Sequence, residues 1–171
     1  MENVQTLDAL TGVWNRRVFG DRLAIELARV VRYGTPLCLA LLDLDGFGRP
    51  DDALGHDGGD RVLAEMARRI GASLRATDVL GRWTGDRFAV ALPGINKTEA
   101  FVVAEKLREA VRAGLTITDV GGYTHDMAVT ASIGVASATA TTDALELFEA
   151  ADAALLEAMG AGGDTVRLAR G

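Results

Sequence analysis

With 171 residues and 49% hydrophobic side chains, the chain is long enough to close one domain around a core and short for two, so a single domain over residues 1–171 is expected. Its formal charge of −6 excludes a general nucleic-acid binder, which needs a positive long-range field; an anionic ligand must be met by a local basic cluster. One cysteine, Cys38, excludes a disulfide framework and a cysteine-rich zinc site, and its apolar surroundings make it a small core residue.

The first 15 or so residues lack the basic opening and apolar block of a secretory signal. Val13 to Arg32 carries apolar residues at Phe19, Leu23, Leu27, Val30 and Val31, a helical spacing ended by Gly34-Thr35-Pro36. Pro36 to Asp45 is a nearly continuous apolar run, too short to span a bilayer, and suits a central strand buried on both faces. Gly46 to Gly59, rich in Gly, Asp and Pro, reads as a loop. Val62, Leu63, Met66, Ile70 and Leu74 then line one face of a second helix.

Val79 to Trp83 and Phe88 to Leu92 form a hairpin around Thr84-Gly85-Asp86, followed by a helix over Thr98 to Arg112. Two β-rich pieces, Leu115 to Thr118 and Met127 to Val135, flank Gly121-Gly122. A helix over Asp143 to Met159 and an edge strand over Thr165 to Leu168 close the chain. Helices alternating with strands, one pair of which is a hairpin, point to an α+β fold with a mixed sheet of about five strands.

Two features carry chemistry. Asp43 and Asp45, two apart at the end of a strand, share a face, and paired carboxylates suit a divalent cation. The hairpin turn holds Asp86 between Arg82 and Arg87, a setting for phosphate. Trp14 and Trp83 are expected as packing anchors, and Phe47 and Phe88 as core.

The blocks Asp8-Ala9-Leu10-Thr11-Gly12-Val13-Trp14-Asn15-Arg16-Arg17, Asp43-Leu44-Asp45-Gly46-Phe47, Gly55-His56-Asp57-Gly58-Gly59-Asp60, the hairpin, and Val129-Thr130-Ala131-Ser132-Ile133-Gly134-Val135-Ala136 resemble, in order, those of a GGDEF domain. The resemblance runs from Asp8 to about Gly163. It implies a fold related to nucleotidyl cyclases and polymerase palms, and the condensation of two GTP into cyclic di-GMP across a two-fold axis. In that family Mg²⁺ or Mn²⁺ bridges phosphates to positions that match Asp43, the Leu44 carbonyl and Asp86, while Asp45 is expected to support the site. His56 is expected to shape the loop leading into the second helix.

The signature departs from the family's Gly-Gly-(Asp/Glu)-Glu-Phe. It reads Thr84-Gly85-Asp86-Arg87-Phe88, so a β-branched residue replaces a glycine and an arginine replaces an acid beside the metal position. Gly48, Met159 and Gly163 stand where the family places basic phosphate contacts, and Asp51 stands at a guanine-reading asparagine; Asp60 keeps a guanine contact. Each lost charge-assisted contact weakens GTP binding by roughly 1.5–3 kcal/mol. Little or no cyclase activity is therefore expected, and no catalytic residue is assigned.

Arg75-Ala76-Thr77-Asp78 is similar to the family's inhibitory Arg-x-x-Asp site, which binds cyclic di-GMP away from the catalytic face. An arginine pairs with guanine N7 and O6 or with phosphate, and a carboxylate accepts from guanine N1 and N2. Lys106 matches a second basic contact of that site, and Arg82 is a further candidate.

The expectation is a cytoplasmic cyclic di-GMP receptor of bacterial second-messenger signalling, a ligand-linked homodimer needing no cofactor for that binding, with no nucleic-acid or membrane contact. A sensor or effector domain or partner protein is expected beside it, the chain being a fragment. The alternatives are a weak Mg²⁺- or Mn²⁺-dependent diguanylate cyclase with product inhibition and an interaction module that binds no nucleotide.

Overall fold

The computed structural model describes residues 5–46 and 50–170; of the side chains of 50–54 and 56 nothing is described. Gly48 and Phe47 lie outside the described residues, as do the side chains of Asp51 and His56. In chain order the elements are α1 (Arg16–Tyr33), β1 (Leu37–Leu44), α2 (Pro50–Ala72), β2 (Val79–Thr84), β3 (Arg87–Pro93), α3 (Lys97–Arg112), β4 (Leu115–Thr118), β5 (Thr124–Met127), β6 (Ala131–Ser137), α4 (Ala144–Gly160) and β7 (Thr165–Leu168). The fold is α+β. Its five-stranded sheet has the order β2-β3-β1-β6-β7, antiparallel except for the parallel β6–β7 pair, and β4 and β5 form a separate ribbon.

All eight residues of β1 are buried, as its apolar run demands of the middle strand. Alternation along β1 sorts its side chains into two cores. Cys38, Ala40, Leu42 and Leu44 pack with Val62, Met66 and Ile70 of α2 and Ala104 and Leu107 of α3. Leu37, Leu39 and Leu41 pack with Phe19 and Leu23 of α1 and Leu147, Ala151 and Leu155 of α4. Asp43 has the parity of the second set, so the sheet turns it toward the α1–α4 side.

Three helices begin with side-chain caps. Asn15 accepts from the Val18 N–H and Asp143 from the Glu146 N–H, while Asn96 and Glu99 form a reciprocal capping box at α3. Trp83 stacks on Phe148 with ring centroids 4.2 Å apart, and Phe19 meets both edge-on. Both tryptophans pack against the α1–α4 core; Arg22 lies over Trp14 and Arg16 over Trp83.

Three sequence expectations change. The first helix starts at Arg16 rather than Val13, because Asn15 caps it and Trp14 bridges to Gly81 of β2. The expected loop over residues 46–59 becomes helical from Pro50, since proline fits a first helical turn; the break is confined to Gly55, with φ 74° and ψ 179°. The expected strand Met127 to Val135 divides, with Met127 ending β5 and Ala131 starting β6.

Candidate functional site

The C-terminal end of β1 meets the β2–β3 hairpin and the α4–β7 turn around a cavity of about 460 Å³ lined by Asp43, Leu44, Asp45, Gly46, Asp86, Met159, Gly162 and Gly163. Register builds the centre of this site. Asp43 of β1 lies directly opposite Arg87 of β3, and cross-strand partners project from the same face. Arg87 Nε donates to Asp43 Oδ1 at 2.8 Å and Nη2 to Asp43 Oδ2 at 3.1 Å, a two-pronged pair, while Nη1 donates to Asp152 Oδ1 of α4 at 2.9 Å. Hydrogen bonding to Asp43, ahead of its charge and that of Asp152, raises the Arg87 pKa against the opposing effect of burial.

Thr84, whose β-branching disfavours a positive φ, stands outside the tight turn. It lies in β2, paired with Arg87 after a bulge, and the tight turn is made by Gly85, at φ 40°, and Asp86. Asp86 is half-buried. Burial first, and the Asp43 charge second, hold its carboxyl above the usual carboxylate range. The folded state then keeps the Asp86 proton to higher pH than the unfolded chain, so this group destabilises the fold as pH rises from the ordinary value of 3.8 through the raised one. Asp86→Asn is expected to raise the melting temperature at pH 7 and to leave it unchanged below that ordinary value; equal gains at both pH values in a melting series would contradict this.

Asp45 holds the walls together. It accepts from Thr130 Oγ1 at 2.7 Å, Ser132 Oγ at 2.6 Å and the Asp164 N–H at 2.8 Å. Gly163, at φ 77°, lies so close that a Cβ there would come within 2.8 Å of the Asp45 carboxyl carbon; this backbone has no room for a side chain at a position where the family resemblance expects a basic one.

These donors do not fit a divalent metal. Both Asp43 oxygens are engaged by Arg87 and both Asp45 oxygens already accept hydrogen bonds, so of the three carboxylates that line the cavity Asp86 is the one not held by another side chain among the described residues. Among the described residues no three His, Cys, Asp or Glu side chains gather as a metal-holding group. Asp60 is exposed on α2.

The Arg-x-x-Asp segment lies at the start of β2, where the α2–β2 turn meets the end of β3. Arg75 Nη2 donates to Asp78 Oδ1 at 2.7 Å and to the Pro93 carbonyl at 2.9 Å, and the Arg75 backbone N–H donates to Asp78 Oδ2 at 2.8 Å. Hydrogen bonding to Asp78 raises the Arg75 pKa. The Arg75 side chain is 50% exposed and its Nη1 has no partner among the described residues, whereas the Asp78 side chain is 2% exposed. Asp78 therefore holds Arg75 in place while also lining the neighbouring cavity.

Lys106 is exposed on α3, two turns beyond Glu99, and makes no hydrogen bond or ion pair to Arg75 or Asp78. Arg82 is paired within the protein. Its Nη1 pairs with Asp8 at 3.2 Å and its Nε donates to the Gly85 carbonyl at 2.9 Å, tying the N-terminal turn to the hairpin. Burial raises the Asp8 pKa, but hydrogen bonds from Thr11 and the pairing with Arg82 outweigh it and leave it lowered.

Three residues escaped the sequence reading. Asp152 was submerged in an alanine-rich helix and emerges only because α4 crosses the β1–β3 end. Arg22 and Arg29 of α1 line, with Trp14, Tyr33, Asp78 and Pro93, a cavity of about 680 Å³ beside the Arg75 pair. Their spacing of two helical turns was the available signal.

The mixed sheet, its hairpin and its flanking helices define an α+β domain of a single sheet and four helices beside a short ribbon, among the described residues. The chain belongs to the GGDEF family: residues 5–165 match the family described as "Diguanylate cyclase, GGDEF domain". It is 35% identical over 162 residues to the diguanylate cyclase DgcP of Pseudomonas aeruginosa, covering 95% of this chain and 24% of that protein. It superposes on the GGDEF domain of DgcB from Caulobacter crescentus, solved in complex with c-di-GMP, with a TM-score of 0.91 at 30% identity over 98% of each chain. It superposes on diguanylate cyclase SiaD from Pseudomonas aeruginosa, solved with its activator SiaC, with a TM-score of 0.90 at 37% identity, covering 98% of this chain and 63% of that one. The chain spans 24% to 52% of the length of the first curated relatives it matches. No helix among the described residues is long and apolar enough to cross a membrane.

Proposed function

We propose that this GGDEF domain is a catalytically silent receptor for cyclic di-GMP, binding it at Arg75 in the bacterial cytoplasm. The observation that carries the reading is the contrast between two arginines. Arg87 spends its guanidinium inside the protein on Asp43 and Asp152, where a cyclase would engage metal and triphosphate; Arg75 is held by Asp78 and the Pro93 carbonyl with its Nη1 left for a guanine or a phosphate.

Arg29 and Arg22 border the neighbouring cavity and supply further positive charge to a ligand with two phosphates. Cyclic di-GMP is itself two-fold and presents a guanine at each end, so the ligand bridges two copies of the chain and shifts the monomer–dimer balance by mass action. Lys106 joins the site by swinging its flexible stem toward the bound ligand. A sensor, effector or partner protein reads out the assembly.

Titration calorimetry with cyclic di-GMP tests the receptor half of the reading, with heat expected from the wild type and lost in Arg75→Ala. Incubation with GTP and Mn²⁺ tests the silent half. Cyclic product that disappears in Asp43→Asn would replace it with weak cyclase activity.

A further inference from the structure

We infer that Arg87 is this domain's built-in cation: its guanidinium occupies both oxygens of Asp43, a carboxylate that would otherwise serve a divalent ion, and ties it to Asp152, so the folded protein is indifferent to Mg²⁺ and Mn²⁺ at this position. The inference rests on the catalytically silent half of the proposed function and not on any ligand at Arg75.

Geometry supports it first. The Nε–Nη2 edge covers both oxygens of Asp43 at 2.8 and 3.1 Å, and the remaining Nη1 reaches across to Asp152 on α4 at 2.9 Å. One side chain thereby joins β3, β1 and α4, as a bridging ion would, and with angular demands that a planar guanidinium meets and a lysine does not. The Asp43 side chain is 12% exposed and Arg87 23%, so the pair is shielded enough for its charges to act strongly. A dication at bonding distance from Asp43 would stand a few Å from the guanidinium and be repelled by it.

Charge balance supports it second. Arg87 is the cation that contacts both Asp43 and Asp152. Asp86, next to Arg87 in the chain, feels the Asp43 charge and, against it, those of Arg87 and Arg82. Without the guanidinium, Asp43 and Asp152 would both lose their ion-pair partner. The same substitution that removed an acid from the signature thus also installed the group that neutralises the acids that stayed.

The test is thermal unfolding of the whole chain in chelator and in millimolar Mn²⁺, paired with Mn²⁺ electron paramagnetic resonance. For the wild type, the melting temperature is expected to be the same in both solutions, and free Mn²⁺ to be depleted no more than by Asp43→Asn, which retains the Arg87–Asp152 contact. Arg87→Gln is expected to lose about 3–8 °C in chelator and to regain a substantial part of it with Mn²⁺. Arg87→Gln combined with Asp43→Asn is expected not to respond.

A saturable Mn²⁺ stabilisation of the wild type that Asp43→Asn abolishes would overturn the inference, and so would a folded Arg87→Gln protein that ignores Mn²⁺. If Arg87→Gln does not fold, the wild-type comparison with Asp43→Asn decides alone. A cyclic di-GMP titration of the same samples separates the two readings: wild type that binds Mn²⁺ through Asp43 yet takes up cyclic di-GMP loses only this inference, and wild type that ignores both loses only the receptor.

Discussion

Replacing Arg75 with alanine is expected to weaken cyclic di-GMP binding by about 100-fold or more, because a guanidinium that grips guanine or phosphate through two charge-assisted hydrogen bonds contributes roughly 1.5–3 kcal/mol through each. The substitution is a clean one. The bond from the backbone N–H of residue 75 to Asp78 does not involve the side chain and survives in the variant, so the turn into β2 is retained. The pair it removes is half-exposed on the arginine side, but it leaves the buried Asp78 carboxylate with the backbone N–H of residue 75 as its remaining hydrogen bond, so some stability is lost as well. Calorimetry should therefore show lost affinity in a protein that still melts cooperatively, at a lowered melting temperature. Unaltered affinity would place the ligand elsewhere, and collapse of the fold would give Arg75 a structural task instead.

Gly134→Ala is expected to have the largest effect on stability of any single methyl addition in the sheet. A Cβ at Gly134 would stand 2.2 Å from the Ala151 carbonyl oxygen and 2.2 Å from the Leu155 nitrogen, with the Leu155 Cα at 2.8 Å. All three are backbone atoms of α4, so no rotamer change relieves the contact and the whole helix must lift from β6. Overpacking of flexible side chains costs about 1–3 kcal/mol, and a clash with helix backbone belongs at or beyond the upper end, a fall of about 6–12 °C in the thermal midpoint. Circular dichroism melts check this; a midpoint within about 2 °C of wild type would mean that α4 can retreat freely from the sheet. Retreat also carries Asp152 away from Arg87, so the substitution reaches the site through packing alone.

The elements that were legible beforehand are those whose periodicity is long and unbroken. The eight buried residues of β1 and the apolar faces of α2 and α4 announced themselves, as did the edge strand over Thr165–Leu168. What misled was composition. Gly, Asp and Pro between residues 46 and 59 look like a loop, yet proline can open a helix, and one glycine suffices for the break. Met127 to Val135 is β-prone throughout, and only tertiary pairing divides it between ribbon and sheet.

The site was legible as a set of residues more than as an arrangement. Asp43, Asp86 and Arg87 could be singled out from their order, and the charge reversal at position 87 was visible at once. That the arginine would turn onto Asp43 depends on the β1–β3 register, and its second partner on where α4 crosses, neither of which one sequence encodes locally. Arg82 pairs with Asp8, 74 residues away in sequence, a contact that its place before the hairpin turn does not announce. The Asp78 carboxylate, which suits guanine, is equally suited to the neighbouring Arg75 that it holds.

Asp45 knots together three stretches of chain that are distant in sequence, through Thr130, Ser132 and the amide of Asp164, and Asp164 in turn receives Arg108 from α3 at 2.8 Å. None of these links passes through the hairpin tip. The letters of the signature turn can therefore vary while the scaffold beneath keeps its shape, because the ties that hold that scaffold lie away from the turn.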